Sequence, residues 1–272
     1  MNSKLNKIIK FNSILKQIDE NWFVKLQFIF GFFSHYALKS IGIHFSVFPE
    51  MKIKLHGLTM LTRKNTIDFW VCIENYEPDI MNFFLTAPEN TGTFIDVGAN
   101  VGRYSLVLAS KGWDVHAFEP VKSNFNQMEK MAKLNKLASN LHLNNFGLGE
   151  IEEDIKINFS SVKFGEASIL EVTDDMNSSE NIVIKNFKNL QIDVTKKPII
   201  VKIDVEGYES NVINGMKDFI IEHKPMLILE IWLSNVKEIS DFLIPLGYYV
   251  HYNVYWFPPN SPLRKHYNLQ NK

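Results

Sequence analysis

Apolar residues along the middle and end of the chain come in two alternating patterns. Short unbroken runs at Thr93–Val97, Val115–Phe118, Leu141–Asn144, Pro198–Asp204 and Met226–Ile231 predict strands, buried on both faces where the run has no polar break. Between them, apolar residues return at helical spacing. Tyr104, Leu106, Val107 and Leu108 mark a helix from about Val101 to Ser110. Phe125, Met128 and Ala132 mark a second, with Ser123 as its cap, and Val212, Ile213, Met216, Phe219 and Ile220 mark a third after Gly207. Strands alternating with helices of this length predict βαβ units and a parallel, right-handed sheet. Leu246–Tyr252 and Val254–Phe257 supply the last two strands.

The first seventy residues are patterned differently. Ile8, Phe11, Ile14, Leu15 and Ile18 form one helical face, and an aromatic-rich stretch runs from Trp22 to Phe48. Lys25, His35 and Lys39 leave its uncharged run too short to span a bilayer. The favoured reading is a helical lid or homodimer face; an interfacial membrane anchor is the weaker one. MKIKLHG alternates as a strand through Met51, Ile53 and Leu55, with IDFWVCI as a second apolar stretch after Gly57, so a hairpin or small sheet is expected. Pro78–Leu85 reads as a helix. The expected division is an N-terminal helical and hairpin extension over 1–74 and one α/β domain over 75–272.

The candidate chemistry gathers where the first core strand ends. Gly98 and Gly102 permit a sharp turn and close approach of a ligand to backbone, and the helix that follows presents unpaired N–H groups. A dinucleotide fingerprint would need glycine where Asn100 and Arg103 stand, and a P-loop would need Gly-Lys-Ser/Thr. The loop carries instead Asp96 before G-x-N-x-G, and a second acid, Glu119, closes the next strand 21 residues beyond Gly98. That is about the ~20-residue interval of a ribose-binding carboxylate. S-adenosylmethionine suits this set: Asp96 for its ammonium, the loop backbone for its carboxylate, Glu119 for its ribose. At the end of the fourth core strand, period two sets Lys202, Asp204 and Glu206 on one side. Lys202 reads as an ion-pair partner, and Asp204 and Glu206 as site residues, because acids at a strand's C-terminal end face the ligand crevice of open α/β sheets.

IDVGANVGRYSL, HAFEPVKSNF, NNFGLGE, IVKIDVEGYESNVINGM and LILEIW, in this order between Tyr76 and Trp232, resemble the FkbM family of S-adenosylmethionine-dependent methyltransferases. The resemblance implies a Rossmann-like class I methyltransferase fold, with a mostly parallel seven-stranded sheet closed by an antiparallel pair and helices on both faces. It implies O-methylation of a small molecule or glycan sugar. Small-molecule N-methylation and a non-catalytic binding relic are the alternatives. In this fold Asn145 and Phe146 fall beside the adenine, where an amide can read the base edge and a ring can stack on it. The Tyr-Glu-Pro segment at Tyr76 falls over the cofactor.

Composition then narrows the partners. With 46% apolar and 22% charged residues the chain is globular, and a formal net charge of −1 with no basic patch in the core disfavours nucleic acid. The single cysteine, Cys72, excludes an internal disulfide and a cysteine-based zinc cluster and fits a cytoplasmic protein. No metal ligands are assigned. Nine acids against two lysines over 150–180 read as a solvated face, with framing of an acceptor pocket the weaker reading; IKINF and SIL within it read as short strands, the hairpin that the family resemblance places before the fourth core strand.

Overall fold

The computed structural model describes residues 11–39, 47–86, 91–137, 139–159, 167–168, 178–251, 254–261 and 263. Residues 1–10, 40–46, most of 160–177 and the tail beyond 263 lie outside it, and with them Ile8, Phe45 and the acidic centre of the 150–180 insertion. The elements in order are a helix over 11–17 (α1), α2 (Trp22–Lys39), β1 (Met51–Leu55), β2 (Leu58–Thr62), α3 (Pro78–Thr86), β3 (Thr93–Val97), α4 (Arg103–Ser110), β4 (Asp114–Phe118), α5 (Lys122–Leu134) and β5 (Leu141–Asn144). There follow β6 (Gly147–Leu148), β7 (Glu153–Phe159), β8 (Ala167–Ser168), β9 (Ser178–Lys185), β10 (Ile199–Ile203), α6 (Glu209–Gly215), α7 (Lys217–His223), β11 (Met226–Leu229), α8 (Val236–Leu243), β12 (Tyr249–His251) and β13 (Tyr255–Phe257).

Seven strands form the main sheet in the order β12-β13-β11-β10-β3-β4-β5. Parallel pairing runs from β11 to β5, and β13 joins antiparallel to both β11 and β12. From β3 the chain steps outward through β4 and β5, then returns to place β10 on β3's other side. The order reverses between β3 and β10, and the crevice beyond such a switch point is where open α/β sheets bind ligands. Alternation along the strands feeds two cores. Phe94, Val115, Leu141 and Ile200 face one side; Ile95, Ile199, Val201 and Leu227 face the other, beneath Val212, Ile213 and Ile220 of α6 and α7 and Ile239 of α8.

The N-terminal segment shares the first of these cores. Ile14, Ile18, Phe28, Phe48, Met51, Ile53 and Phe69 are buried in one cluster with Phe94 and Leu106. Helix α2 is apolar nearly all round. Phe28, Gly31 and His35 pack inward, while Trp22, Phe23, Leu26, Phe30 and Phe33 form an exposed stripe on the opposite side. Among the described residues no helix is long and apolar enough to cross a membrane. β1 and β2 form the expected hairpin, turned at His56 and Gly57, both with positive φ.

Three expectations need correction. IDFWVCI is no strand: Asp68–Trp70 is a 3-10 turn anchored by the Asp68 carboxylate, which takes the backbone N–H and guanidinium of Arg63. Ser123 does not cap α5; it lies inside the first turn with its buried Oγ unpartnered, and the Glu119 carboxylate accepts the N–H of Val121, the capping residue, instead. The 150–180 insertion is more than a solvated face. With β6 and β9 it builds a four-stranded sheet, and Ile157, Ile182 and Ile184 turn inward under the strand ends.

Candidate active site

The switch-point loop is set by contacts between neighbouring strand ends. Gly98, at φ +81°, lies so close to the Asp204 carbonyl that any Cβ would collide with it. Gly98 and Ala99 N–H groups donate to the Phe118 carbonyl at 3.0 Å, and Gly102 N–H donates to Ala99 at 2.8 Å. Asn100, at φ +52°, donates its N–H to Glu119 Oε2 at 2.8 Å. Four N–H groups of the loop are thus committed within the protein.

Glu119 is buried, and its other oxygen accepts the Val121 N–H at 2.8 Å and faces the Asn124 amide at 3.5 Å. Burial raises its pKa to about 7 against the pull of these hydrogen bonds. Asp96 is also buried. It accepts the Ser105 hydroxyl at 2.6 Å, and burial raises its pKa, with Lys202 and Ser105 opposing.

On the other side of the switch point, Lys202 Nζ donates to Asp204 Oδ2 at 2.7 Å. Burial alone would weaken the Lys202 ammonium's hold on its proton, but Asp204, Asp96 and Glu77 together raise its pKa. Asp204 stays about a quarter exposed, at 27%. Because Ile203 pairs in register with Leu229, the next residue of each strand brings Glu230 alongside Asp204. Glu230 is exposed; the Asp204 charge first, then desolvation and Glu77, raise its pKa to about 7. Tyr76 and Glu77 complete this group. The Tyr76 hydroxyl is pushed above its ordinary range by burial and by Glu77 and Asp204, and Glu77 accepts the Tyr104 hydroxyl at 2.6 Å.

A cleft of about 650 Å³, counting its open mouth, joins the two sides. Of the residues picked out in the sequence, Gly98, Asn100, Glu119, Asp204 and Glu206 line it together. Asp96 and Gly102 lie beneath or behind the loop: Asp96 under Ser105, and Gly102 at φ +85° against Met128. Asn145 stands outside the lining, its amide nitrogen donating to the Glu119 and Pro120 carbonyls at 2.9 and 3.1 Å. Phe146 packs on Phe118, with Lys185 Nζ 4.3 Å over its ring. The apolar wall comes instead from Val121, Leu148, Ile157, Ile182 and Ile184.

Two contributors gave little sign of their role. Arg103 is buried, and its guanidinium donates to the carbonyls of Val71, Ile73, Glu74 and Tyr76, holding the 71–77 segment over the helix start. Glu209 is fully buried and accepts the Gly207 N–H and the Asn235 amide, which fixes the turn after β10. Glu230 lies in the apolar run Met226–Ile231, and the strand register sets it beside Asp204.

A parallel sheet reversing at a glycine loop, with carboxylates at the ends of the strands on both sides of that loop, defines a class I methyltransferase fold. The chain belongs to the Methyltransferase FkbM domain family, whose model matches residues 96–250. Membership implies S-adenosylmethionine as the methyl donor. The chain is 25% identical over 143 residues to the hexuronic acid methyltransferase AglP of Haloferax volcanii, a match covering 52% of this chain and 56% of that protein. It therefore spans about half the length of the curated relative it matches. A solved methyltransferase FkbM from Methylobacillus flagellatus KT is similar at 20% identity and TM-score 0.39, over 59% of this chain and 36% of that one. Precorrin-6y C5,15-methyltransferase from Geobacter metallireducens GS-15 is similar at 11% identity and TM-score 0.39, over 66% and 75%.

The residues present fit the cofactor. An apolar slot suits a purine, and the buried Glu119 carboxylate has lone pairs left for ribose hydroxyls after accepting its two N–H groups.

Proposed function

We propose that this protein transfers a methyl group from S-adenosylmethionine to a hydroxyl of a small molecule, most plainly a sugar of a glycan or glycolipid. The observation that carries this reading is the meeting of Asp204, Glu206 and Glu230 beside the glycine loop, where a hydroxyl brought to the donor can lose its proton. The bound cofactor supplies an already activated methyl. The chain's own work is then to orient the acceptor and take up a proton. Lys202 holds Asp204 by one oxygen, Oδ2, leaving Oδ1 for an acceptor hydroxyl. Glu230, with a pKa of about 7, is suited to receive the proton near neutral pH. The similarity to a hexuronic acid methyltransferase supports a sugar acceptor.

One observation favours amine methylation as the second reading. Asp96, Glu77, Asp204 and Glu230 all act electrostatically on a single ammonium, Lys202, and such an excess of carboxylates welcomes a cationic acceptor. The two readings separate in an assay of the purified protein with labelled S-adenosylmethionine against matched panels of uronic acids, neutral glycosides and amino sugars. Label in a base-stable ether on a sugar without an amine supports the first. Label only on amines overturns it.

A further inference from the structure

A second cluster of ligand-forming side chains lies at the far end of the same strands. Asp114 opens β4 and His116 follows on the same face two residues later. His142 on β5 is the register partner of His116, so its side chain shares that face. Glu119 lies five residues beyond Asp114 and three beyond His116, which at ~3.3 Å per strand residue puts the cofactor cleft roughly 10–16 Å from the cluster. No step of methyl transfer uses this trio.

We propose that Asp114, His116 and His142 form a binding site for a divalent transition-metal ion of the zinc type. The three offer one ligand atom each, all within 4.8 Å of one another, and two of them, His142 Nε2 and Asp114 Oδ1, are already 3.1 Å apart. Donors around a tetrahedral zinc lie about 3.3 Å from each other, given bond lengths of ~2.0–2.1 Å. Two imidazoles and a carboxylate, with solvent at a fourth position, form a donor set that zinc accepts, and a softer or all-oxygen preference is not met here.

A second observation points independently to a missing ligand. His116 is only 7% exposed, yet its Nε2 is buried without a hydrogen-bond partner. A buried, unpartnered ring nitrogen otherwise costs stability with nothing gained.

The rings of His116 and His142 stack 4.5 Å apart at 14°, so their lone pairs run side by side rather than converging. His142 is half exposed, at 50%, and can tilt about its Cβ to meet the ion, while the buried His116 stays fixed. Asp114 and His142 lie on adjacent strands, and β5 is the sheet's edge. An ion held by both would clip that edge strand to β4.

The test uses the full-length, tag-free protein, stripped of metal by EDTA and desalted. Zinc is titrated against a chromophoric chelator, and cobalt is added separately as a spectroscopic probe. The expected result is one zinc per chain at micromolar or tighter affinity, an intense visible cobalt band of tetrahedral type, and zinc-slowed amide exchange across Leu141–Asn144. His142→Ala changes an exposed side chain and keeps the fold; it should weaken zinc at least tenfold and abolish the cobalt band. His116→Gln should do the same. Millimolar or absent zinc binding overturns the proposal. So does zinc binding that survives both substitutions, because the ion would then sit elsewhere.

Discussion

Glu119 and Asp204 close the two strands that flank β3 and face one cleft, yet the protein surrounds them in opposite ways. Glu119 is walled in; both its oxygens take backbone N–H groups, the Asn124 amide faces one of them, and the charged neighbour acting on it is the equally buried Asp96. Asp204 is partly open, gripped by a buried ammonium on one oxygen and crowded by Glu230 and Glu77. The first environment freezes backbone around a carboxylate. The second leaves a carboxylate's charge free to act on its neighbours. Two acids that look alike in the sequence are therefore expected to do different work, the one shaping the cofactor loop and the other serving the acceptor.

The largest effect that could break this contrast is on turnover. Asp204→Asn keeps the shape and removes the charge, so methyl transfer should fall by about 10²–10⁴-fold. S-adenosylhomocysteine affinity, read by calorimetry, should hardly change. The substitution also leaves Lys202 buried beside a neutral amide, so a lower Tm is expected. Near wild-type turnover from Asp204→Asn and Glu206→Gln alike would move the base elsewhere, with Glu230→Gln the next variant to assay.

Glu119→Ala should act on binding instead. Losing a charged acceptor for ribose hydroxyls costs about 1.5–3 kcal/mol, or roughly ten- to a hundredfold in affinity. The structure adds a second cost. The N–H groups of Asn100 and Val121 lose their acceptor, at about 1–3 kcal/mol for each that stays buried, so the variant should also melt earlier. Affinity lowered without any loss of Tm would mean that the loop holds itself and Glu119 only touches ligand.

The two acids were unequally legible in the sequence. The order of strands, the glycine loop and both strand-end acids could be read because each rests on local pattern: runs of apolar residues, positive-φ glycines, and acids closing strands. The main sheet has the expected seven strands, mostly parallel, with the closing antiparallel pair included. What could not be read depends on register and distant contacts. Glu230 meets Asp204 only through the β10–β11 pairing. Arg103 looked like a failed glycine position, whereas it clasps carbonyls about thirty residues upstream. The isoleucines of β7 and β9 line the cleft although their segment looked like a charged surface, because alternation hides the inward face of a strand among acids. Helix α8 passed unseen: it is short, though Ile239 and Leu243 are buried.

A smaller effect lies in the pH profile of turnover. Glu230 has its pKa raised to about 7 chiefly by the Asp204 charge. If it accepts the acceptor's proton, kcat should rise with pH through about 7, as the carboxylate form accumulates, and level off above. Asp204→Asn removes the main cause of the shift, so the residual activity of that variant should show its midpoint displaced to lower pH. Glu230→Gln should flatten the limb. A midpoint that stays put in Asp204→Asn would assign the limb to another group.

The smallest effect concerns stability, and it isolates Glu119 from everything catalytic. Its pKa is raised from an ordinary 4.5 to about 7 in the folded chain, burial being the main cause. The native state therefore binds this proton more tightly than the unfolded state does. The associated stability is fully present below about pH 4.5 and is lost as pH rises through about 7, with a slope no steeper than about 1.4 kcal/mol per pH unit between the two. Other carboxylates add their own slopes, so the informative quantity is wild type minus Glu119→Gln, in which this site cannot titrate. That difference in Tm should drift downward by a few degrees from pH 5 to pH 7.5. Ribose hydroxyls donating to Glu119 favour its charged form and should flatten the drift when S-adenosylhomocysteine saturates the protein. A drift unchanged by the ligand would place the ribose away from Glu119, leaving this carboxylate as a support for the loop alone.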